Sequence, residues 1–157
     1  MTEQDKRTLI LQATLDLIAE DGWLGAPMAK VAKRAGVSAG IIYHYFANKD
    51  DLIRALYAQI KKQWSASVVA SDVLNAPYPD HLVQLWLNSY HFYVQHPKEA
   101  LFIEQYENSP TYEHAWESMI EADEAMQRLM ALLQADFEAG HVEPRPLVVF
   151  YDMTIGV

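Results

Sequence analysis

Ala39, Gly40, Tyr43 and His44 fall on one face of a short segment with helical character, and that face carries no carboxylate. Small residues at a helix start let a backbone approach another molecule closely, and Tyr and His side chains can donate hydrogen bonds to phosphate oxygens. Four basic residues, Lys30, Lys33, Arg34 and Lys49, lie within residues 28–49, a stretch with no acidic residue. Lys49 follows Asn48, a good helix cap, and so stands where the helix dipole disfavours a cation by roughly 0.3–1 kcal/mol. A lysine in that place is useful if it reaches an external anion such as phosphate. The alternative is a solvated side chain screened by Asp50 and Asp51. The cluster as a whole reads either as a local anion-binding patch or as chance clustering on a wet face, and charge alone does not choose.

Other chemistry is poorly provided for. There is no cysteine, so thiol catalysis, disulfides and thiolate zinc sites are excluded. His91 and His96 are five residues apart and on different helix faces, unlike the i, i+4 pair of a zinc protease. His91 could reach Glu104 or Glu107 across two helices, but solvated or satisfied polar side chains are the better reading. No glycine-rich phosphate loop and no G-x-S-x-G elbow is present. Met119, Met126 and Met130 read as core packing. The expectation is a protein with no enzymatic activity, no metal and no cofactor.

Aromatic residues concentrate between 86 and 116: Trp86, Tyr90, Phe92, Tyr93, Phe102, Tyr106, Tyr112 and Trp116. An aromatic core explains most of them. Several buried tyrosine hydroxyls would nevertheless need hydrogen-bond partners, which a partly polar cavity for a small molecule would supply.

The elements that must position these residues follow from caps, breakers and periodicity. The chain has 157 residues, 51% hydrophobic and 21% charged, enough for a real core. No apolar run approaches the ~18 residues of a membrane span, and the first residues lead into an amphipathic segment, so a cytoplasmic protein with no membrane partner is expected. Net charge is −9, divided as +2 over residues 1–64 and −11 over residues 65–157. A capping-box-like Thr2 and Asp5 open a first helix, with Ile10, Ala13 and Leu17 at helical spacing and Gly22 as the stop. Pro27 starts and Gly36 closes a second, Ser38 caps a third through Phe46, and Asn48 caps a fourth with the stripe Leu52, Ile53, Leu56, Ile60 and Trp64. A boundary is expected at 71–79. Further helices are expected over 80–96, apolar nearly all round, over 97–108, and as one long rod of about 28 residues ending at Gly140. Residues 147–157 begin another apolar segment. No strand pattern competes, so the expected class is all-α.

Residues 28–46 have the sterics of a helix-turn-helix: a small Ala32, Gly36 four residues later, and Ile42 six further on, with Val31 and Val37 to pack the pair. Ile18, Gly22, Val31-Ala32, Ala35-Gly36-Val37-Ser38, Ile42-Tyr43-His44-Tyr45-Phe46, Asn48-Lys49 and Leu52-Ile53 together resemble the DNA-binding domain of TetR/AcrR-type transcriptional regulators over about residues 8–56. The resemblance implies a helix-turn-helix DNA-binding domain over 1–48, joined by a long fourth helix to a ligand-binding and dimerisation domain over 49–157, incomplete at its C-terminus. It implies a repressor released from a double-stranded DNA operator by a small-molecule inducer, acting as a homodimer. This chain, short of the usual terminal helices, would form a weakened or rearranged dimer with apolar surface exposed.

The residues expected at DNA are Lys30, Ser38, Ala39, Gly40, Ile41, Tyr43, His44, Tyr45 and Lys49, with Lys49 at phosphate. Two positions depart from the family pattern. Ala26 and Pro27 replace hydroxyl residues that cap the second helix, and Ile41 replaces a frequent threonine, which suggests a methyl contact or shape readout. The residues expected around the inducer are Trp86, Tyr90, Tyr93, Phe102, Tyr106 and Trp116, and the acidic body suggests an apolar or aromatic ligand with room for a positive charge near Glu104 or Glu107. The rival reading is a helical small-molecule-binding or adaptor protein that does not bind an operator.

Overall fold

Between Gly22 and Lys49 the helix starts and stops fall where the caps and breakers put them. The computed structural model describes residues 3–110, 112, 123–143 and 146, and among these every regular element is helical. Helix α1 (Glu3–Asp21) buries Ile10, Leu11, Ala13, Leu15, Leu17 and Ile18. Its one buried hydroxyl, on Thr14, donates to the Ile10 carbonyl at 2.8 Å. Gly22 ends it with φ of 73° and leads into a single 3-10 turn, Trp23–Gly25, that the spacing of residues did not announce. Helix α2 (Met28–Ala35) follows Pro27, and α3 (Ala39–Tyr45) follows Ser38. Between them Gly36 takes the left-handed conformation (φ 68°, ψ 28°), and the Val37 amide closes the turn on the Ala32 carbonyl at 3.0 Å.

Helix α4 (Lys49–Val68) is one continuous rod. Asn48 caps it, accepting from the Asp51 amide at 2.8 Å, while the Asp51 carboxylate accepts from the Ala47 amide at 3.0 Å. Its expected stripe is buried throughout, with Trp64 wholly enclosed. Helix α5 (Ser71–Asn75) is a short turn of helix inside the expected boundary, α6 is Asp80–Gln95, α7 is Pro97–Glu107 and α8 is Glu124–Glu138.

Two compact units share α4. One takes in Met1–Ile60 and His96–Glu113, so α7 belongs with α1 to α3, and the other takes in Lys61–Gln95 and His114–Val157. In the first, the Asp16 carboxylate of α1 pairs with Lys98 of α7 at 2.6 Å. In the second, Trp64, Val68, Val73, Leu85, Phe92, Leu129 and Leu133 form the centre of the core. The Trp64 ring nitrogen donates to Ser89 Oγ at 3.2 Å, so the largest buried side chain carries no unmet polar atom.

Two expectations are corrected. The rod ending at Gly140 is broken at Asp123, whose backbone is extended (φ −128°, ψ 108°) and whose carboxylate accepts from the amides of Ala125 and Met126. A capping carboxylate offers the backbone an alternative to continuing the helix, and the heptad-like spacing on either side does not reveal the break. Asp123 also accepts from the buried Ser65 hydroxyl of α4. The part of the expected rod before Asp123 lies outside the described residues, as do Thr2 and the segment 147–157. The second correction concerns α6. It is not buried all round, because Val83, Trp86, Tyr90 and Val94 each keep more than half of their surface exposed along one stripe.

Candidate nucleic-acid interface

Ser38 builds the start of α3. Its hydroxyl accepts from the Ile41 amide at 3.4 Å, a cap of the type that contributes about 1 kcal/mol to helix stability. Ile42 (fully buried) and Phe46 anchor the opposite face, and the Arg7 guanidinium of α1 lies 5.5 Å over the Phe46 ring. That anchoring turns Ala39, Gly40, Tyr43 and His44 to solvent, while Ile41 and Tyr45 are half-buried. Tyr43 is 56% exposed, unusual for a large aromatic side chain in a well-packed domain. A Cβ placed on Gly40 would meet nothing nearer than Ser38 Oγ at 4.0 Å. Nothing inside the chain requires glycine there.

The basic residues are less free than their sequence suggests. Lys30 pairs with Asp21 at 2.6 Å. Arg34 grips Glu20 through both terminal nitrogens, at 3.0 and 2.6 Å. The acidic partners come from the end of α1, outside the stretch that contains no carboxylate, so the picture of four uncompensated cations is corrected. The Arg34 hydrogen bond holds the Glu20 carboxyl below the usual carboxylate range, and the same bond raises the Arg34 guanidinium. These pairs are exposed, where ion pairs stabilise little. Lys33 is exposed and has no partner among the described residues. Pro27 gives α2 no side-chain cap, and Ala26 is buried, as expected where these two residues replace hydroxyl residues.

Lys49 is half-buried, and its acidic neighbours are not its only partners. Its ammonium donates to the Trp23 carbonyl at 2.8 Å and stands 5.9 Å from the centre of the Trp23 ring. Withdrawal from water lowers its pKa, with Asp50 opposing the shift.

The six aromatic residues expected at a ligand do not share one environment. Phe102 and Tyr106 are buried in the unit that holds α1 to α3, stacked on each other at 6.0 Å and on Trp23 at 6.1 and 5.8 Å. Trp86 and Tyr90 lie in the other unit, exposed and stacked with nearly parallel rings at 5.9 Å and 4°. Tyr93 is half-buried against that unit's core, and Trp116 lies outside the described residues. Glu107 accepts from the Tyr57 hydroxyl at 2.7 Å, and Tyr57 meets Tyr112 at 3.3 Å. Burial, then the Glu107 bond, pushes the Tyr57 hydroxyl far above the ordinary phenol range and keeps it a donor. No group of three or more His, Asp or Glu among the described residues is arranged to hold a metal.

Sequence reasoning missed a buried polar group in the second unit. His81 Nε2 meets Asp136 Oδ2 at 2.7 Å with both side chains almost fully enclosed. His141 Nδ1 meets Asp136 Oδ1 at 3.2 Å, and Tyr78 stacks on the His141 ring at 4.4 Å. Its members are 55 and 5 residues apart, so no local spacing points to it.

Taken as a class, an all-α chain whose capped α3 stands on α2 across a left-handed glycine turn is a helix-turn-helix protein. Residues 10–56 match the model described as bacterial regulatory proteins, tetR family. The chain is 32% identical over 103 residues to an uncharacterized HTH-type transcriptional regulator of Haemophilus influenzae, covering 66% of this chain and 55% of that protein. It is 51% identical over 55 residues to the HTH-type transcriptional regulator BetI 1 of Chromohalobacter salexigens, covering 35% of this chain and 27% of that one. Among solved structures, a TetR-family transcriptional regulator from Haemophilus influenzae superimposes with a TM-score of 0.77 at 26% identity, over 94% of this chain and 78% of the other. A TetR family transcription regulator from Marinobacter aquaeolei shares the fold, with a TM-score of 0.78 at 20% identity over 96% and 78% of the two chains. Residues 10–56 thus carry the tetR-family DNA-binding domain, and the described fold is that of TetR-type regulators. It spans about half the length of the first of these curated relatives and less of the second. No helix among the described residues is long and apolar enough to cross a membrane.

Proposed function

We propose that this chain acts in the cytoplasm as a sequence-specific DNA-binding transcriptional regulator, a repressor that a small molecule releases from its operator. The observation that carries the reading is the outward face of α3: Ala39, Gly40, Tyr43 and His44 exposed on a helix capped by Ser38 and pinned by Ile42 and Phe46. Residues 1–48 supply the DNA-binding domain, with Ile41 and Tyr45 at the edge of its contact face and Lys30 and Lys49 toward the phosphates. Residues 49–157 supply ligand binding and dimerisation. A homodimer would set two recognition helices in successive major grooves about 34–36 Å apart. Selection of bound duplexes from a random pool tests this directly. The expected product is a roughly palindromic site with that half-site spacing, and a pool with no enriched sequence would leave the helical adaptor as the better account.

The ligand reading rests on the exposed, stacked Trp86 and Tyr90, with Tyr93 beside the core, and suits an apolar or aromatic molecule that carries a positive charge. Phe102 and Tyr106 act on this reading from within the packed core. For a compound that releases the wild-type chain from the selected duplex, Trp86→Ala is expected to raise the concentration needed by tenfold or more, about 1.4 kcal/mol. Affinity for DNA without the compound should not change. An unaltered response would remove Trp86 from the ligand site.

A further inference from the structure

Lys49 and Trp23 are 26 residues apart and meet across the loop between α1 and α2. An ammonium has three donors. The Trp23 carbonyl takes one, and among the described residues no other hydrogen bond takes the remaining two. The hydrogen bond and the ring restrain the side chain in the free protein, so an anion arriving there meets a cation already positioned. What holds Trp23 is α7. Its ring lies nearly parallel to Tyr106 (5.8 Å, 14°) and is stacked on Phe102 (6.1 Å, 23°), both of them buried. Tyr106 is held in turn by the Tyr57 ring at 4.9 Å. Removing the indole therefore removes both the face under the ammonium and the packing that fixes the carbonyl.

We propose that Trp23 is a positioning residue for DNA: it holds the Lys49 ammonium where it contacts a backbone phosphate, through a carbonyl and ring fixed by Phe102 and Tyr106 of α7. The inference rests on the DNA-binding reading above and adds to it a residue outside the recognition helix.

The test is the salt dependence of binding to a mixed-sequence DNA duplex, followed by fluorescence anisotropy. Each phosphate neutralised on duplex DNA contributes about 0.9 to the slope of log K against log salt. Lys49→Ala is expected to lower the slope by about that amount. Trp23→Ala should lower it equally, the double variant should lower it no further, and Trp23→Phe should restore the wild-type slope because it keeps an aromatic face. Trp23→Leu, which keeps apolar bulk but no ring face, covers the case in which Trp23→Ala fails to fold, and circular dichroism on each sample identifies that case. Trp23→Leu is expected to show the lowered slope. A residue with a merely structural role would weaken binding at an unchanged slope, and that result in a folded Trp23 variant overturns the proposal. An unchanged slope in Lys49→Ala overturns it too, while leaving DNA binding in place. A wild-type chain that binds neither this duplex nor any selected one removes the functional reading itself.

Discussion

Asp136→Ala is expected to destabilise the chain by about 3 kcal/mol, the scale of removing one partner from a buried hydrogen-bonded pair. Asp136 serves His81 and His141 through separate oxygens, and His81 Nδ1 is already buried with no hydrogen-bond partner among the described residues. Removing the carboxylate leaves both ring nitrogens of an enclosed imidazole unmet, at roughly 1–3 kcal/mol for each buried polar group stranded. In a chain of this size that corresponds to a fall in melting temperature of roughly 6–12 °C. Asp136→Asn keeps an acceptor for His81 and should cost much less. The double replacement His81→Phe with Asp136→Leu removes both members of the polar pair and should be milder than Asp136→Ala alone. Thermal melts followed by circular dichroism decide it. An Asp136→Ala chain within about 0.5 kcal/mol of wild type would mean that the pair is relaxed or wet.

The second large effect is on binding, with the fold left intact. Gly40→Leu puts a side chain into open space beside Ser38, so stability should be unchanged or slightly higher, because leucine is the better helix former. Its cost falls on DNA. If the start of α3 approaches a major groove as closely as its small residues allow, a leucine at position 40 holds the backbone away and disturbs every neighbouring contact. A loss of about 100-fold in affinity for the selected duplex, near 2.8 kcal/mol, is expected, with Gly40→Ala intermediate. Retention of affinity within about threefold by a folded Gly40→Leu chain would show that this part of α3 does not face DNA.

Local rules carried the head of the chain a long way. Ser38, Gly36 and Asn48 act through bonds to residues at most four positions away, and the stripe from Leu52 to Trp64 repeats every turn, so both can be read from one window of sequence. What escaped that reading depends on residues meeting across elements. Glu20 and Arg34 are 14 apart, Lys49 and Trp23 are 26 apart, and His81 and Asp136 are 55 apart. Asp123 escaped for a different reason. The apolar spacing continues past it, and only the choice of its carboxylate between solvent and the amides of Ala125 and Met126 marks the break. In α6 the pattern supplied apolar residues on every side but not which of them the core would take. Leu85 and Phe92 went inward, and Trp86 and Tyr90 did not.

The ion pairs between α1 and α2 alter how ions would be exchanged when a polyanion arrives. Lys30 and Arg34 come to an encounter already neutralised by Asp21 and Glu20. A phosphate that takes one of them from its carboxylate sheds a counterion, but the abandoned carboxylate then collects a cation from solution. The net release for such a swap is close to zero, so a salt titration undercounts contacts made in this way. Lys49 leans on a neutral carbonyl and strands no charge when it engages an anion, so its contact is registered in full. Long-range attraction is blunted for the same reason, since a paired cation projects little field beyond a Debye length of about 10 Å at 0.1 M salt. On the DNA-binding reading proposed above, the first approach would be drawn mainly by Lys33 and Lys49. Lys30 and Arg34 can change partners only after contact, which assigns their influence to how long a complex lasts more than to how fast it forms.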